Sequence, residues 1–257
     1  MLVAEASAQV GPQTAPPARK RVTRAEYVID NNDQVNPDVN VIRFVPTNSQ
    51  MFDFEPGQFV SISAVKPDGK KIARDYSIYS PPSFRQGFEL CVKRVEGGFM
   101  SNYLCDLKKG DKVNAIGPMG GFVLRRPLPP EIFFVSTGTG VAPFRAMLET
   151  LLGQGEKNTH IYLIFGTRHP EDIINRSFFE GIEKQYSNFH YLPTLSKAED
   201  SWTGHRGHVQ ETLSKYLKDP SKKDIYICGL QIMVDQVKDL AVAAGVPATN
   251  VYYERYD

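Results

Sequence analysis

The chain has 257 residues and a formal net charge of +1, and this near-neutral balance argues against nucleic acid or an anionic membrane as a general partner. Hydrophobic residues make up 41% and charged residues 23%, which is typical of a globular protein long enough for two domains. No apolar run approaches the roughly 20 residues that cross a bilayer.

The first twenty residues are rich in Ala, Pro, Gln and Ser, and they lack the basic and apolar regions of a secretory signal. We expect a disordered tail over residues 1–20. The three cysteines (Cys91, Cys105 and Cys228) fit neither a disulfide framework nor the spacing of a zinc or iron–sulfur site. We therefore predict no metal site, and a reduced, cytoplasmic setting.

Short runs rich in Val, Ile, Phe and Tyr follow one another over residues 21–126, separated by Pro, Gly, Asn and Asp. This pattern predicts an antiparallel β-barrel domain. A single helical segment interrupts it at 99–107, where Met100, Tyr103 and Leu104 share one face. Three prolines in the six residues 125–130 predict a linker.

Apolar strand-like runs alternate with amphipathic helical runs over residues 131–257. Such alternation predicts an α/β domain with an open parallel sheet and right-handed crossovers. Ligands of open parallel sheets bind beyond the carboxyl ends of the strands. Residues that directly follow a strand are therefore the candidates for chemistry.

The stretch FVSTGTGVAPFRAML (134–148) reads as a buried strand, a glycine turn and a helix. Gly138 and Gly140 let the backbone turn sharply and approach a ligand. Pro143 replaces the third glycine of a dinucleotide fingerprint and suits the first turn of a helix, whose free amides can face a phosphate. A plain glycine turn without a ligand explains the glycines alone equally well.

Two stretches of the first domain could also bind phosphate. RDYS (74–77) offers the Arg74 guanidinium, and strand alternation places Tyr76 on the same face. GGFMSNYL (97–104) opens a helix whose first amides, together with Ser101, could bind a second phosphate group. Each stretch taken alone is more simply an exposed arginine on a strand, or a serine that caps a helix.

The last third of the chain adds ICGLQIM (227–233), which puts Cys228 and Gly229 at the ligand-facing edge of a parallel strand. A buried structural cysteine is the alternative. The terminal YYERYD is either an ordinary strand or a set of aromatic side chains that cover a planar ligand. The five histidines have no metal-binding spacing.

In this order, the motifs resemble those of the ferredoxin–NADP reductase superfamily from about Arg21 to the end of the chain. RDYS is similar to its flavin motif, and LCVKR with GGFMSNYLCDLKKGD to its second flavin segment. STGTGVAPF matches its nicotinamide motif, in which the proline is usual. The remaining similarities are FGTR, LSKAEDSWTGHRGHV and ICGLQIM.

The resemblance implies that Tyr76 packs on the isoalloxazine of FAD, that Ser77 lies near its N5 atom, and that Cys228 and Glu254 complete the catalytic group. Because Asp257 follows Tyr256, we expect no plant-type terminal stacking role for that tyrosine. The positions that the resemblance assigns to cofactor binding are Arg74, Tyr76, Ser77, Val92, Lys93, Gly97, Gly98, Met100, Ser101, Thr137, Gly138, Thr139, Gly140, Pro143, Arg168, Ser196, Lys197, Cys228, Gly229 and Met233.

The implied function is passage of a hydride from NADPH or NADH to FAD, and then of single electrons to ferredoxin, a similar small carrier protein or an oxygenase component. The alternative is a flavin-binding electron-transfer or regulatory subunit of a larger oxidoreductase complex. Arg168, Lys197 and Arg206 could form a basic cluster for the 2′-phosphate of NADPH. The segment around SWTGHRGHV resembles NADH-using oxygenase reductases equally well, so both nucleotides stay open.

Overall fold

The computed structural model describes residues 22–48 and 52–256, and the predicted tail over 1–20 lies outside them. The described residues form two sheets, one after the other along the chain. The boundaries drawn at residues 126 and 131 stay a prediction. None of the helices within the described ranges has the length and apolar character that crossing a membrane requires.

The first sheet is antiparallel, and buried side chains alternate with more exposed ones along several of its strands. Its described strands and helix are β1 (Thr23–Asn36), β2 (Val39–Pro46), β3 (Phe59–Val65), β4 (Lys71–Ser77), β5 (Phe88–Lys93), α1 (Phe99–Asp106) and β6 (Lys112–Met119). The order across the sheet is β4-β3-β6-β1-β2-β5. A bridge between Ile78 and Leu90 joins the two edges, so the predicted antiparallel barrel is confirmed.

The second sheet is parallel throughout its described pairs. Its strands are β7 (Glu131–Thr137), β8 (His160–Thr167), β9 (Phe189–Leu195), β10 (His205–Arg206), β11 (Lys223–Leu230) and β12 (Val251–Tyr256). The helices are α2 (Ala142–Gly153), α3 (Arg176–Gln185), α4 (Val209–Ser214) and α5 (Gln231–Ala243). The predicted open α/β domain is confirmed.

The strand order β10-β9-β8-β7-β11-β12 reverses direction at β7. The chain first adds strands on one side of β7 and later places β11 on its other side. Such a reversal opens a crevice beyond the carboxyl ends of the two central strands. The strands β7 and β11 are almost entirely buried, as expected for a sheet with helices on both faces.

A hydrophobic cluster crosses from the barrel into the α/β domain. Tyr79 and Phe122 of the barrel pack with Phe144 and Met147 of α2, and the rings of Phe122 and Phe144 lie 5.9 Å apart. All four side chains are buried. The two sheets therefore share a continuous apolar contact, which holds the barrel beside the crevice of the parallel sheet.

Gly57 lies at this interface, just before β3, with a φ of 97°. A Cβ at this position would overlap the carbonyl oxygen of Phe122 and come 2.5 Å from the terminal methyl of Met147. Gly69, in the turn between β3 and β4, also has a positive φ, of 82°, but has open space around it. The two glycines share the backbone constraint and differ only in the close approach.

We expect Gly69→Ala to lower the free energy of unfolding by about 1–2 kcal/mol, the cost of the left-handed backbone alone. Gly57→Ala should cost about 3 kcal/mol or more, because overpacking adds to the same backbone strain. Urea unfolding of both variants measures the difference. Equal losses in the two variants would contradict a tight contact between Gly57 and the interface.

Candidate functional site

A cleft of about 740 Å³ opens where the carboxyl ends of β7 and β11 face the barrel. Both domains line it. The barrel contributes Asn36, Asp38, Val39 and Lys93, and the Asn36 amide donates to the carbonyl oxygen of Asp172 at 3.0 Å. Of the residues predicted from sequence, those that the structure brings together here are Lys93, Thr137, Gly138, Thr139, Arg168, Ser196, Lys197, Gly229 and Met233.

The glycine turn after β7 lies directly on the end of β11. Gly138 has a φ of 53°, and a Cβ on Gly140 would overlap the carbonyl group of Cys228. Pro143 occupies the first turn of α2, and no described side chain caps the start of that helix. The geometry thus explains the departure from a three-glycine fingerprint, because a proline fits where the third glycine would stand.

Thr137 carries a buried hydroxyl that has no hydrogen-bond partner among the described residues. The hydroxyl lies beside Gly229, where an added Cβ would come within 2.6 Å of it. Buried polar groups are nearly always hydrogen-bonded in folded proteins, so an unbonded one at a cleft favours a polar ligand group.

A chain of hydrogen bonds joins the two domains next to this turn. The Tyr256 hydroxyl donates to Ser77 Oγ at 2.6 Å, and the Ser77 hydroxyl donates to Glu254 Oε1 at 3.0 Å. Burial raises the pKa of Glu254 above its usual range, the bond from Ser77 opposes that rise, and the charge of Asp75 adds to it. The net effect favours the neutral carboxyl at this buried position.

Cys228 is completely buried next to the same group. Burial raises the pKa of its thiol well above the usual value. The thiol therefore stays protonated and is a poor nucleophile. The completely buried Cys228 side chain is not part of the cleft lining, and its environment does not support covalent chemistry.

Arg74 and Tyr76 lie on the edge strand of the barrel. The Arg74 guanidinium is exposed and donates to its neighbouring carbonyl, Ala73 O, at 2.9 Å. Within the described residues it forms no ion pair, so its charge is available to a phosphate. Tyr76 packs partly against the barrel core, and burial raises its pKa to about 12. The two side chains fit the phosphate and the ring of a flavin nucleotide.

The start of α1 supplies backbone donors. Gly97 has a φ of 70°, and Gly98 begins the helix without a capping bond from any described side chain. The Ser101 hydroxyl accepts from the Val95 amide at 3.1 Å and donates to Gly98 O at 3.2 Å. It therefore holds the turn together, which leaves the first amides of α1 for a pyrophosphate.

Two positions predicted to bind the cofactor are too deeply buried in the barrel for their side chains to contact it. The side chains of Val92 and Met100 are buried in the barrel core. Any cofactor contact from them would come from the main chain. This depth follows from the strand and helix patterns that the sequence itself shows, since both residues belong to the apolar faces of their elements.

Arg206 differs from its expected role. Its guanidinium donates to the carbonyl oxygens of Ala198, Glu199, Asp200 and Trp202, at 2.8–3.3 Å. Arg206 therefore organises the loop before β10. Of the cluster expected to bind a 2′-phosphate, Arg168 and Lys197 line the cleft.

Sequence reasoning missed Tyr256, which lines the cleft and bonds to Ser77. Its terminal position led us to assign it no stacking role. The signal that could have found it is its spacing from Glu254, because two residues apart on a strand share one face. The structure places both side chains against Ser77.

Comparison with known proteins agrees with this two-domain arrangement. The oxidoreductase FAD-binding domain family matches residues 26–124, and the oxidoreductase NAD-binding domain family matches residues 134–239. A ferredoxin–NADP reductase B from Sorangium cellulosum is 38% identical over 231 residues, which cover 87% of this chain and 93% of the relative.

The phenol hydroxylase P5 protein of Acinetobacter pittii is 32% identical, over 79% of this chain but only 58% of its own length. A Neisseria gonorrhoeae ferredoxin NADP+ reductase, solved with bound FAD and NADP, superposes with a TM-score of 0.78 at 20% identity, over 90% of this chain and 98% of that one. At 20% identity, the likeness to the Neisseria gonorrhoeae structure concerns the fold alone. The chain belongs to the ferredoxin–NADP reductase superfamily of oxidoreductases, with an FAD-binding domain followed by an NAD-binding domain.

Proposed function

We propose that this flavin-dependent oxidoreductase takes a hydride from NADPH in preference to NADH and delivers single electrons to a ferredoxin or a similar small carrier protein. The observation that carries the proposal is the meeting of Ser77, from the FAD-binding domain, with Glu254 and Tyr256, from the NAD-binding domain, beside the glycine turn. Relatives named as a ferredoxin–NADP reductase and as oxygenase electron-transfer components support the kind of partner.

Bound FAD supplies the chemistry, because it accepts two electrons as a hydride and can release them one at a time. The protein contributes position and electrostatics. Arg74 and the first amides of α1 hold the flavin phosphates. Thr137, Gly138 and the amides before α2 receive the nicotinamide nucleotide.

Ser77 and Glu254 keep a hydroxyl and a carboxyl at the junction of the two domains. The Ser77 proton points to Glu254, and the Ser77 oxygen accepts from Tyr256. A raised pKa lets Glu254 hold a proton close to the buried junction. Cys228 is completely buried beside this junction, where its thiol stays neutral.

The preference for NADPH rests on charge at the cleft. Arg168 follows β8, and Lys197 follows β9, so both lie at the ligand-facing edge of the sheet. Two cations at this edge favour a nucleotide that carries an extra phosphate. The cytoplasmic setting inferred from the cysteines stays part of this proposal.

The direct test is anaerobic reduction. We expect the purified protein to bind FAD, NADPH to bleach the flavin absorbance, and an added ferredoxin to restore it. A colourless protein that takes up no added FAD would contradict the proposal. Bound flavin that neither NADPH nor NADH reduces would instead favour the alternative of an electron-transfer or regulatory subunit.

Arg74→Ala should raise the Kd for FAD by about 10- to 100-fold, because a charge-assisted hydrogen bond contributes about 1.5–3 kcal/mol. Titration of the apoprotein with FAD, followed by flavin fluorescence, measures the change. Lys71→Ala is the matched control, since Lys71 is an exposed cation on the same strand. If the two variants bind FAD equally well, Arg74 does not hold the flavin phosphates.

Lys197→Ala should lower kcat/KM for NADPH by about tenfold, with kcat/KM for NADH within about twofold of the parent, because one phosphate contact is lost. Steady-state kinetics with both nucleotides gives the ratio. Lys184→Ala removes an exposed lysine of α3 that does not line the cleft, and it should leave both values unchanged. An equal loss with NADH and NADPH would show that Lys197 does not read the 2′-phosphate.

A further inference from the structure

Arg145 is a partly buried cation at the contact between the two domains. Its side chain, which lies on α2, is 15% exposed. Its Nη1 donates to Glu89 Oε2 of the barrel at 2.8 Å, and its Nε lies 2.7 Å from Glu149 Oε1, one turn along α2. The rings of Tyr79 and Phe178 lie 4.2 and 4.9 Å from the guanidinium carbon.

The acceptor of this bond is itself held rigidly by the barrel. Glu89, whose side chain is 9% exposed, accepts from Arg43 through its other carboxylate oxygen, at 3.0 and 3.3 Å. Its backbone amide donates to Ser80 Oγ at 3.0 Å. The carboxylate therefore has a fixed orientation, and Arg145 meets an anchored partner.

Tyr79 connects this contact to the flavin side of the site. The tyrosine is completely buried, and its hydroxyl accepts from the Asn175 amide of the α/β domain at 2.7 Å. It follows Ser77 by two residues in the sequence, and Arg145 follows Gly140 by five. The contact therefore holds together the segment that carries Ser77 and the segment that follows the glycine turn.

A buried ion pair is a poor way to add stability, because desolvation of the charges offsets their attraction. The apolar cluster around Phe122 and Phe144 already joins the domains, but apolar packing is non-directional. The guanidinium bonds to Glu89 and lies over the ring of Tyr79, both of which belong to the barrel, so it fixes the rotation and the sliding of α2 on the barrel. The pair of Arg145 and Glu89 therefore adds a fixed orientation of α2 on the barrel.

We propose that Arg145 is a positioning residue for hydride transfer. By holding α2 to Glu89 and Tyr79, it sets the placement of the glycine turn relative to Ser77, and hence of the nicotinamide relative to the flavin. This inference rests on the proposed function. Hydride transfer needs the reacting atoms close and aligned, and a displacement of about 1 Å can slow such a step roughly 100-fold.

The experiment compares Arg145→Met, Arg145→Lys and Glu89→Gln with the parent protein. Arg176→Met is the matched control, since Arg176 pairs with Glu180 one turn along α3 and lies over the ring of Trp202, within the α/β domain. Measurements are FAD content, Kd for NADP+, the charge-transfer absorbance of the NADPH–flavin complex, and the anaerobic rate of flavin reduction at saturating NADPH.

In Arg145→Met we expect full FAD content, a Kd for NADP+ within about threefold of the parent, a weakened charge-transfer band, and reduction slowed by roughly 10- to 100-fold. Arg145→Lys should recover part of the rate and of the band, since a shorter cation can still reach one oxygen. Glu89→Gln should fall between the parent and Arg145→Met. Arg176→Met should reduce at the parental rate.

Parental rates and band in Arg145→Met would overturn the positioning role. So would a variant that is impaired only in nucleotide affinity, with its saturated rate unchanged. If Arg145→Met fails to fold, Arg145→Lys decides, and a parental rate and band in that variant overturn the inference. A parent protein that neither nucleotide reduces would instead refute the proposed function, and with it the inference that rests on it.

Discussion

The packing of α2 against the barrel is the contact on which the rest of the structure depends. Ser77 and Glu254 are 177 residues apart, and they lie on different domains. Neither domain alone holds both groups, so the site exists only while Tyr79 and Phe122 pack with Phe144 and Met147. Apolar contact holds the domains together, and the ion pair of Arg145 and Glu89 gives that contact a direction.

Burial also sets the protonation of the junction. The pKa values of Glu254 and Cys228 both rise because water is excluded from them. Neutral forms are thereby favoured where two domains meet over a cleft that otherwise carries cations at its far edge. Arg168 and Lys197 place positive charge on the lining of the cleft, apart from this junction.

Local pattern was enough to predict the two sheets, because strand and helix periods act over a few residues, and it also picked out nine positions that line the cleft. The buried strand predicted before the glycine turn is β7, which ends at Thr137. The hydrogen bonds of Arg206 could not be predicted, because its partners are carbonyl oxygens that come together only in the folded loop. Arg145 was overlooked for a similar reason. Its partner Glu89 is 56 positions earlier, and no short motif contains both.

The hairpin between β1 and β2 reaches over the cleft and bonds to the opposite domain through Asn36 and Asp172. A ligand that contacts both the hairpin and the parallel sheet would bind only while the two domains are docked. Its binding free energy would then be linked to the docked arrangement, and each tenfold rise of its concentration above the Kd would add about 1.4 kcal/mol in favour of that arrangement. A bound substrate would thereby stabilise the docked domains in addition to the apolar cluster and the ion pair, and it would do so only during turnover.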